Sequence, residues 1–361
     1  MTNKRKKNEE SLVQRFFKIF SDDIGIDLGT ANTLVHVAGK GIVINEPSIV
    51  AMNQKTNQVV AVGKEAKEML GRTPAHIVAI RPLVDGVISD FEVAEEMLTY
   101  LIKRAQVGKS GIFGPRVVIG VPSGITSVEV RAVRDAAYNA GAREVHIVEE
   151  PMAAAIGIGL PVREPTGSMV VDIGGGTTDI GIVSLGGLVS ARNIKIAGDK
   201  FNSDIVSYIR NEFKILIGEK SAEDLKIEVS SALASRDSLE TVVRGRDLVT
   251  GLPREIVVTD SDVREAITHS IEELVDAIKE ILETTPPEVV SDILKSGIYL
   301  AGGGALIRGL PELLQKELGV PIFVAEDPLT AVVRGTGKML ANIEDYQEAF
   351  VHYDDAVSPQ H

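Results

Sequence analysis

Two short stretches hold the residues best suited to chemistry, Asp27-Leu28-Gly29-Thr30-Ala31-Asn32 and Asp172-Ile173-Gly174-Gly175-Gly176-Thr177-Thr178. In each, an apolar strand-forming run reaches an aspartate, bends through small or hydroxylated residues and enters a second apolar run. A carboxylate in an apolar strand is costly to bury alone, so each aspartate either faces solvent at the turn or has something cationic beside it. A bend of glycine, threonine and asparagine turns several N–H groups and hydroxyls into one space, which makes an anion site. Aligned on Asp27 and Asp172, segments 24–37 and 170–183 match in pattern, 145 residues apart. Two such bends facing each other can clasp a polyphosphate from both sides. The aspartates then stand where the phosphates' divalent ion belongs. Magnesium keeps several waters and takes one or two carboxylates, so Asp27 and Asp172 are expected to hold it through water.

A third glycine cluster, Gly302-Gly303-Gly304-Ala305, follows the apolar run 297–301 and precedes a helical pattern. Bare backbone there admits a flat ligand, and the helix start beyond favours an anion. The three glycine-rich strand ends together outline a nucleotide-sized site. Glu149 and Glu150 end another apolar run, and Pro151 opens a helix of small residues. A carboxylate in that place can orient an attacking water. Two look-alikes fail. Gly108-Lys109-Ser110 resembles the end of a phosphate loop, but Lys103 stands where that motif needs glycine. Ser123 in "GVPSG" is one place off the nucleophile-elbow spacing.

These groups need rigid elements to hold them. Apolar and β-branched runs predict strands at 24–28, 33–37, 48–52, 58–62, 116–121, 145–148, 169–173, 180–185, 188–196 and 297–301. Residues 48–52 and 58–62 read as a hairpin. Helical periodicity marks 92–106, 127–140, 200–217, 221–236, 261–284 and 309–317, with Ser261 or Asp260 as the expected cap of the long one. Interleaved strands and helices argue an α/β chain with mixed sheets, and the duplicated turn argues two similar halves facing each other.

The chain has 361 residues, 44% hydrophobic and 25% charged, long enough for two lobes with substantial cores. It contains no cysteine, which removes disulfides and thiolate metal sites, and its six histidines are scattered. No tryptophan, 4% aromatic residues and a net charge of -13 make the body a poor nucleic-acid binder. The first twenty residues differ: six Lys/Arg oppose Glu9 and Glu10. Leu12, Val13, Phe16, Phe17 and Phe20 share one helical face, with Arg15 and Lys18 elsewhere on the helix. Such a helix either docks on the protein's own core or lies in a membrane interface, and the basic cluster Lys4–Lys7, which adds attraction to anionic lipid, favours the interface. No run is long enough to span a bilayer.

The segments "IGIDLGTANTLVHV", "IVEEPMAAAIGIGLPV", "VVDIGGGTTDIGIVSL", "IKIAGDKFNSDIV" and "LAGGGALIRGLPELL" resemble the five signatures of the actin–Hsp70–hexokinase ATPase superfamily. Within it they are most similar to the MreB family of bacterial actin homologues, over about residues 20–342. The resemblance implies an actin-like α/β fold: two similar lobes of mixed sheet plus helices, each with a smaller subdomain, and a nucleotide cleft between. It divides the chain into a membrane-binding segment (1–22), a first lobe (23–160, smaller subdomain about 50–90), a second lobe (161–334, smaller subdomain about 198–262), a segment returning to the first lobe (335–350) and a tail (351–361). It implies ATP and Mg²⁺ as cofactors. Gly29, Thr30, Ala31 and Asn32 would form one phosphate loop and Gly174, Gly175, Gly176, Thr177 and Thr178 the other, with Asp27 and Asp172 at the metal. Glu150, helped by Thr177, would polarise the lytic water. Glu223, Lys226, Gly302, Gly303, Gly304 and Ala305 would contact the nucleoside, and Gly198 and Asp199 would lie at a hinge. Ile112 and Phe113 fall where family members carry an apolar membrane loop.

The implied activity is ATP hydrolysis coupled to filaments of paired protofilaments on the inner face of the cytoplasmic membrane, directing wall elongation and rod shape. The implied partners are the chain itself, membrane lipid and elongation proteins such as RodZ and MreC. An Hsp70-type chaperone is disfavoured because no peptide-binding domain is expected after residue 342. A small-molecule kinase is disfavoured because the Glu150-Pro151 segment supplies no evident substrate base.

Overall fold

The computed structural model describes residues 22–70, 74, 76–106, 114–234 and 238–351. Its frame is a pair of five-stranded sheets with one topology. The first contains β1 (Ile24–Leu28), β2 (Asn32–Val37), β3 (Gly41–Pro47), β9 (Arg116–Val121) and β10 (Glu144–Glu149), in the order β10-β9-β1-β2-β3. The second contains β11 (Ser168–Ile173), β12 (Thr178–Ser184), β13 (Gly187–Ile194), β17 (Ile298–Ala301) and β18 (Ile322–Val324), in the order β13-β12-β11-β17-β18. In both, three consecutive antiparallel strands are extended by two parallel ones. The central strands are apolar on both faces because helices cover both sides.

Smaller pieces hang from each sheet. Beside the first lie β4 (Val50–Asn53), β5 (Gln58–Val62) and β6 (Ile77–Ile80), with α1 (Lys64–Met69) and the short pair β7 (Leu83–Val84) and β8 (Val87–Ile88). Beside the second lie β14 (Ile215–Leu216), β15 (Glu240–Asp247) and β16 (Pro253–Thr259). The first core packs α2 (Phe91–Ala105) and α3 (Ser127–Asn139) on the sheet through Met97, Leu101, Val130 and Val133. The second packs α5 (Gly198–Glu212), α6 (Glu219–Val229) and α7 (Asp260–Thr284) through Ile205, Ile209, Leu225, Ile271 and Leu274. The second half also holds α8 (Pro287–Ser296) and α9 (Leu310–Leu318). A third cluster lies where α4 (Glu150–Ile158) meets α10 (Ala331–Ala341). There a Cβ on Gly157 would overlap Ala331 O and one on Gly335 would overlap Ala153 O, so the helices touch backbone to backbone.

Several sequence expectations need correction. The helix expected over 200–217 ends at Glu212; Lys214 takes a positive φ of 57° and Ile215–Leu216 turns into a strand. The helix expected to reach 236 stops at Val229, where Ser230 is already extended. The long helix is capped by Thr259, whose hydroxyl accepts Asp262 N–H while Asp262 accepts Thr259 N–H at 2.8 Å. The β15–β16 hairpin and α10 had no counterpart in the periodicity. In α10, Val332, Val333, Gly335 and Gly337 are weak helix formers, and packing overrides propensity.

Candidate functional site

The two glycine hairpins face one another across a cleft of about 480 Å³, within the range of cofactor sites. Its wall includes Asp27, Gly29, Thr30, Ala31, Asn32, Glu150, Asp172, Gly174, Gly175, Gly176, Thr177, Glu223, Lys226, Gly302, Gly303 and Gly304. Sixteen residues singled out from scattered stretches of sequence thus share one surface. Two do not reach it. The Thr178 hydroxyl turns away and donates to Ile196 O at 2.5 Å, and Ala305 is buried in the short helix after the glycines. The residues expected to touch membrane, Leu12, Val13, Phe16, Phe17, Phe20, Ile112 and Phe113, lie outside the described residues.

The first hairpin joins β1 to β2. Ser48 donates to Gly29 O at 2.5 Å, and Gly86 N–H donates to Thr30 Oγ1 at 3.1 Å. The second joins β11 to β12. Gly174 N–H donates to Thr177 O at 2.9 Å, and the first residues of α5 close over the bend: Gly198 N–H on Gly174 O and Asp199 N–H on Gly175 O. The hairpins nearly touch. A side chain on Gly175 would overlap Ala31, and a Cβ on Gly176 would lie 2.8 Å from Thr30. Glycine here is a condition of the approach between the two halves. Gly302, at φ 76°, lies so close to Ile173 and Asp172 that no Cβ fits.

Carboxyl groups crowd the inner end. Burial lifts Asp27 to about 7. It also pushes Asp172 well above the ordinary carboxylate range, with Asp27 and Asp179 adding repulsion. Glu150, the first residue of α4, is raised well above its usual value by burial and then by Asp179, Asp27 and Asp172. Like charges held together out of water resist ionisation, and a bound cation relieves them. Among the described residues no group of three or more acids or histidines forms a direct ligand set.

Sequence reasoning missed Asp179. It is buried just behind the cleft wall, and its Cα pairs with that of Asp172 across β11 and β12. Burial raises it to about 6, while Ser123 N–H (2.6 Å), Asn193 Nδ2 (2.9 Å) and the Thr177 hydroxyl pull it down. Ser123 follows β9, so this carboxylate ties the second sheet to the first. The available signal was register: Asp179 stands seven residues after Asp172, where the first hairpin has Leu34.

The rim carries ion pairs between the halves. Arg81 reaches Glu219 at 2.5 Å and Asp199 at 3.5 Å, and Lys67 reaches Glu223 at 3.3 Å. Glu223 is thus already engaged. Lys226, its pKa lowered by burial, donates to Gly198 O at 2.9 Å.

A family model described as MreB/Mbl protein matches residues 21–348. The chain is 52% identical to the cell shape-determining protein Mbl of Bacillus subtilis over 327 residues, covering 90% of this chain and 98% of that one. It is 50% identical to the cell shape-determining protein MreB of Escherichia coli, covering 92% and 97%. The crystal structure of MreB5 of Spiroplasma citri bound to ADP superposes with a TM-score of 0.86 at 40% identity, over 91% of this chain and 98% of that one. A second structure of that protein is bound to AMPPNP, with the same score. The MamK double helical filament, at 23% identity and a TM-score of 0.76, shares the fold.

Proposed function

The chain belongs to the MreB/Mbl family of cell shape-determining proteins, and we propose on that premise that it binds ATP with magnesium, hydrolyses it and assembles into filaments. The observation that carries this reading is the pair of opposed glycine hairpins, each with a buried aspartate, meeting beside Glu150 in one cleft. N–H groups and hydroxyls of Gly29–Asn32 and Gly174–Thr177 hold the phosphate tail from both sides. Gly302–Gly304 face the nucleoside, with Glu223 and Lys226 near its sugar. Magnesium, held by Asp27 and Asp172 through water, would neutralise charge on the phosphate oxygens. Glu150 and Thr177 orient a water in line with the terminal phosphorus. Its oxygen bonds to that phosphorus as the bond to the bridging oxygen breaks, and Glu150 accepts the water's proton. The surroundings that raise Glu150 make it a strong base once ionised.

Closure of the halves around ATP favours one relative arrangement of the two sheets and hence the contacts between copies; hydrolysis weakens that bias. The structural likeness to the MamK filament fits a polymerising fold. Among the described residues no helix is long and apolar enough to cross a membrane. Residues 12–20 and Ile112-Phe113 would instead attach filaments to the inner face of the cytoplasmic membrane, where wall-elongation proteins such as RodZ and MreC would meet them.

Phosphate release and sedimentation with anionic liposomes test the reading. Both should require Mg-ATP, and deleting residues 1–20 should reduce liposome binding. The Glu150→Ala variant should still bind AMPPNP while phosphate release falls about 100-fold or more. Unchanged release with binding intact would overturn the role of Glu150.

A further inference from the structure

We propose that Asn202 reads the sugar of the bound nucleotide through its side-chain carboxamide, an inference that rests on the nucleotide reading above. Asn202 is only 4% exposed, lies one turn along α5 from Gly198 and forms part of the cleft wall. Its Oδ1 is buried without a hydrogen-bond partner among the described residues. An amide oxygen left unpaired in that way destabilises the fold, and a ligand donor would relieve it.

The chemistry of the missing donor narrows the ligand group. At neutral pH phosphate oxygens accept hydrogen bonds and donate none, so the phosphate tail cannot satisfy Oδ1. The donors that a magnesium nucleotide brings are its sugar hydroxyls, its base nitrogens and the metal's waters, and the last belong beside Asp27 and Asp172. Position decides between them. Gly198 N–H is bonded to Gly174 O of the phosphate hairpin, and four residues of helix rise carry Asn202 about 6 Å beyond it. That distance suits the sugar, one group removed from the phosphates. Lys226, which donates to Gly198 O at 2.9 Å, and Ser230 of the neighbouring segment also line the cleft, and the bare backbone of Gly302–Gly304 is the flat surface left for the base. A carboxamide also suits a hydroxyl chemically. Oδ1 accepts the hydroxyl proton, and Nδ2 can donate to a hydroxyl oxygen. Sites built to hydrogen-bond a substrate hydroxyl discriminate strongly against the analogue lacking it, because their own polar group is then stranded.

The test compares Mg-ATP, Mg-2′-deoxyATP and Mg-3′-deoxyATP binding to the full chain by calorimetry. The wild type should bind at least one deoxy analogue about 10-fold more weakly than ATP. Asn202→Ala should lower ATP affinity to the level of that analogue and leave the analogue's own affinity unchanged. Asn202→Asp, nearly isosteric and still an acceptor, should keep the preference. The proposal is overturned if the wild type binds all three equally, which requires no variant, or if Asn202→Ala weakens all three by the same factor. Failure of the wild type to bind any of them would instead overturn the nucleotide reading itself.

Discussion

The two hairpins began as a repeat and differ where it matters. Asp27 lies opposite Leu34, whereas Asp172 lies opposite Asp179. The first hairpin is braced by outlying segments, through Ser48 and Gly86; the second is braced by its own helix, through Gly198 and Asp199. The first contributes a methyl and a hydroxyl at the meeting point, Ala31 and Thr30, and the second contributes only backbone, Gly175 and Gly176. Duplication supplies the phosphate clasp, and divergence supplies its asymmetry. One half is held by residues of its outlying segments; the other is held by its own helix and carries an extra carboxylate linked to the opposite half through Ser123.

That contrast can be broken most severely at the meeting point. Gly175→Val would wedge the hairpins apart, and Mg-ATP affinity measured by calorimetry should fall about 100-fold or more. Ala31→Gly, on the tolerant side, should cost under about 3-fold. Equal losses would remove the asymmetry. Asp179→Leu makes the second hairpin resemble the first and strips Ser123 N–H of its acceptor. Phosphate release at saturating ATP should drop by roughly 10- to 100-fold, with a smaller change in AMPPNP affinity.

A pH series sharpens the electrostatic side. Asp27 and Asp179 have folded pKa values of about 7 and 6, above the 3.8 of a free carboxylate, so the folded chain holds protons that the unfolded chain has released. Stability without nucleotide or divalent ion should therefore decline as pH rises from about 4 to 7, with the penalty complete above the folded values. Asp27 is partly open to the cleft, so Asn there should recover roughly 1–2 kcal/mol at pH 7.5 in thermal melts and flatten the slope. The smallest effect belongs to the rim. Arg81→Ala removes two ion pairs that water reaches, so nucleotide dissociation by stopped flow should quicken up to about 5-fold at low salt. At high ionic strength the variant and wild type should converge.

Most of the cleft was legible because phosphate chemistry needs residue types that stand out in apolar strands. Asp27, Asp172 and the glycines announce themselves without tertiary information, and the matching turns exposed the two-sheet frame. Asp179 was hidden because it sits inside "TTDIGIV", where the repeat directs the eye to the apolar positions shared with Leu34 and its neighbours. Asn202 and Arg81 carry no local pattern, since their meaning comes from a distant hairpin and from the opposite rim. Thr178 was misplaced for the converse reason. It continues the run of hydroxyls, but strand alternation turns it inward to Ile196 O. The helix α10 went unread because glycines that weaken a lone helix are what let this one pack.

Gly157 and Gly335 let α4 and α10 meet backbone to backbone, and side chains such as Met152, Ile156, Val332 and Met339 pack around that contact. Lys338 Nζ, from α10, fastens the crossing by donating to Ile156 O at 2.9 Å and Gly157 O at 3.0 Å. Because Glu150 is the first residue of α4, this clamp also sets where the acid stands: a side chain at either glycine that forced the helices apart would carry the carboxyl with it.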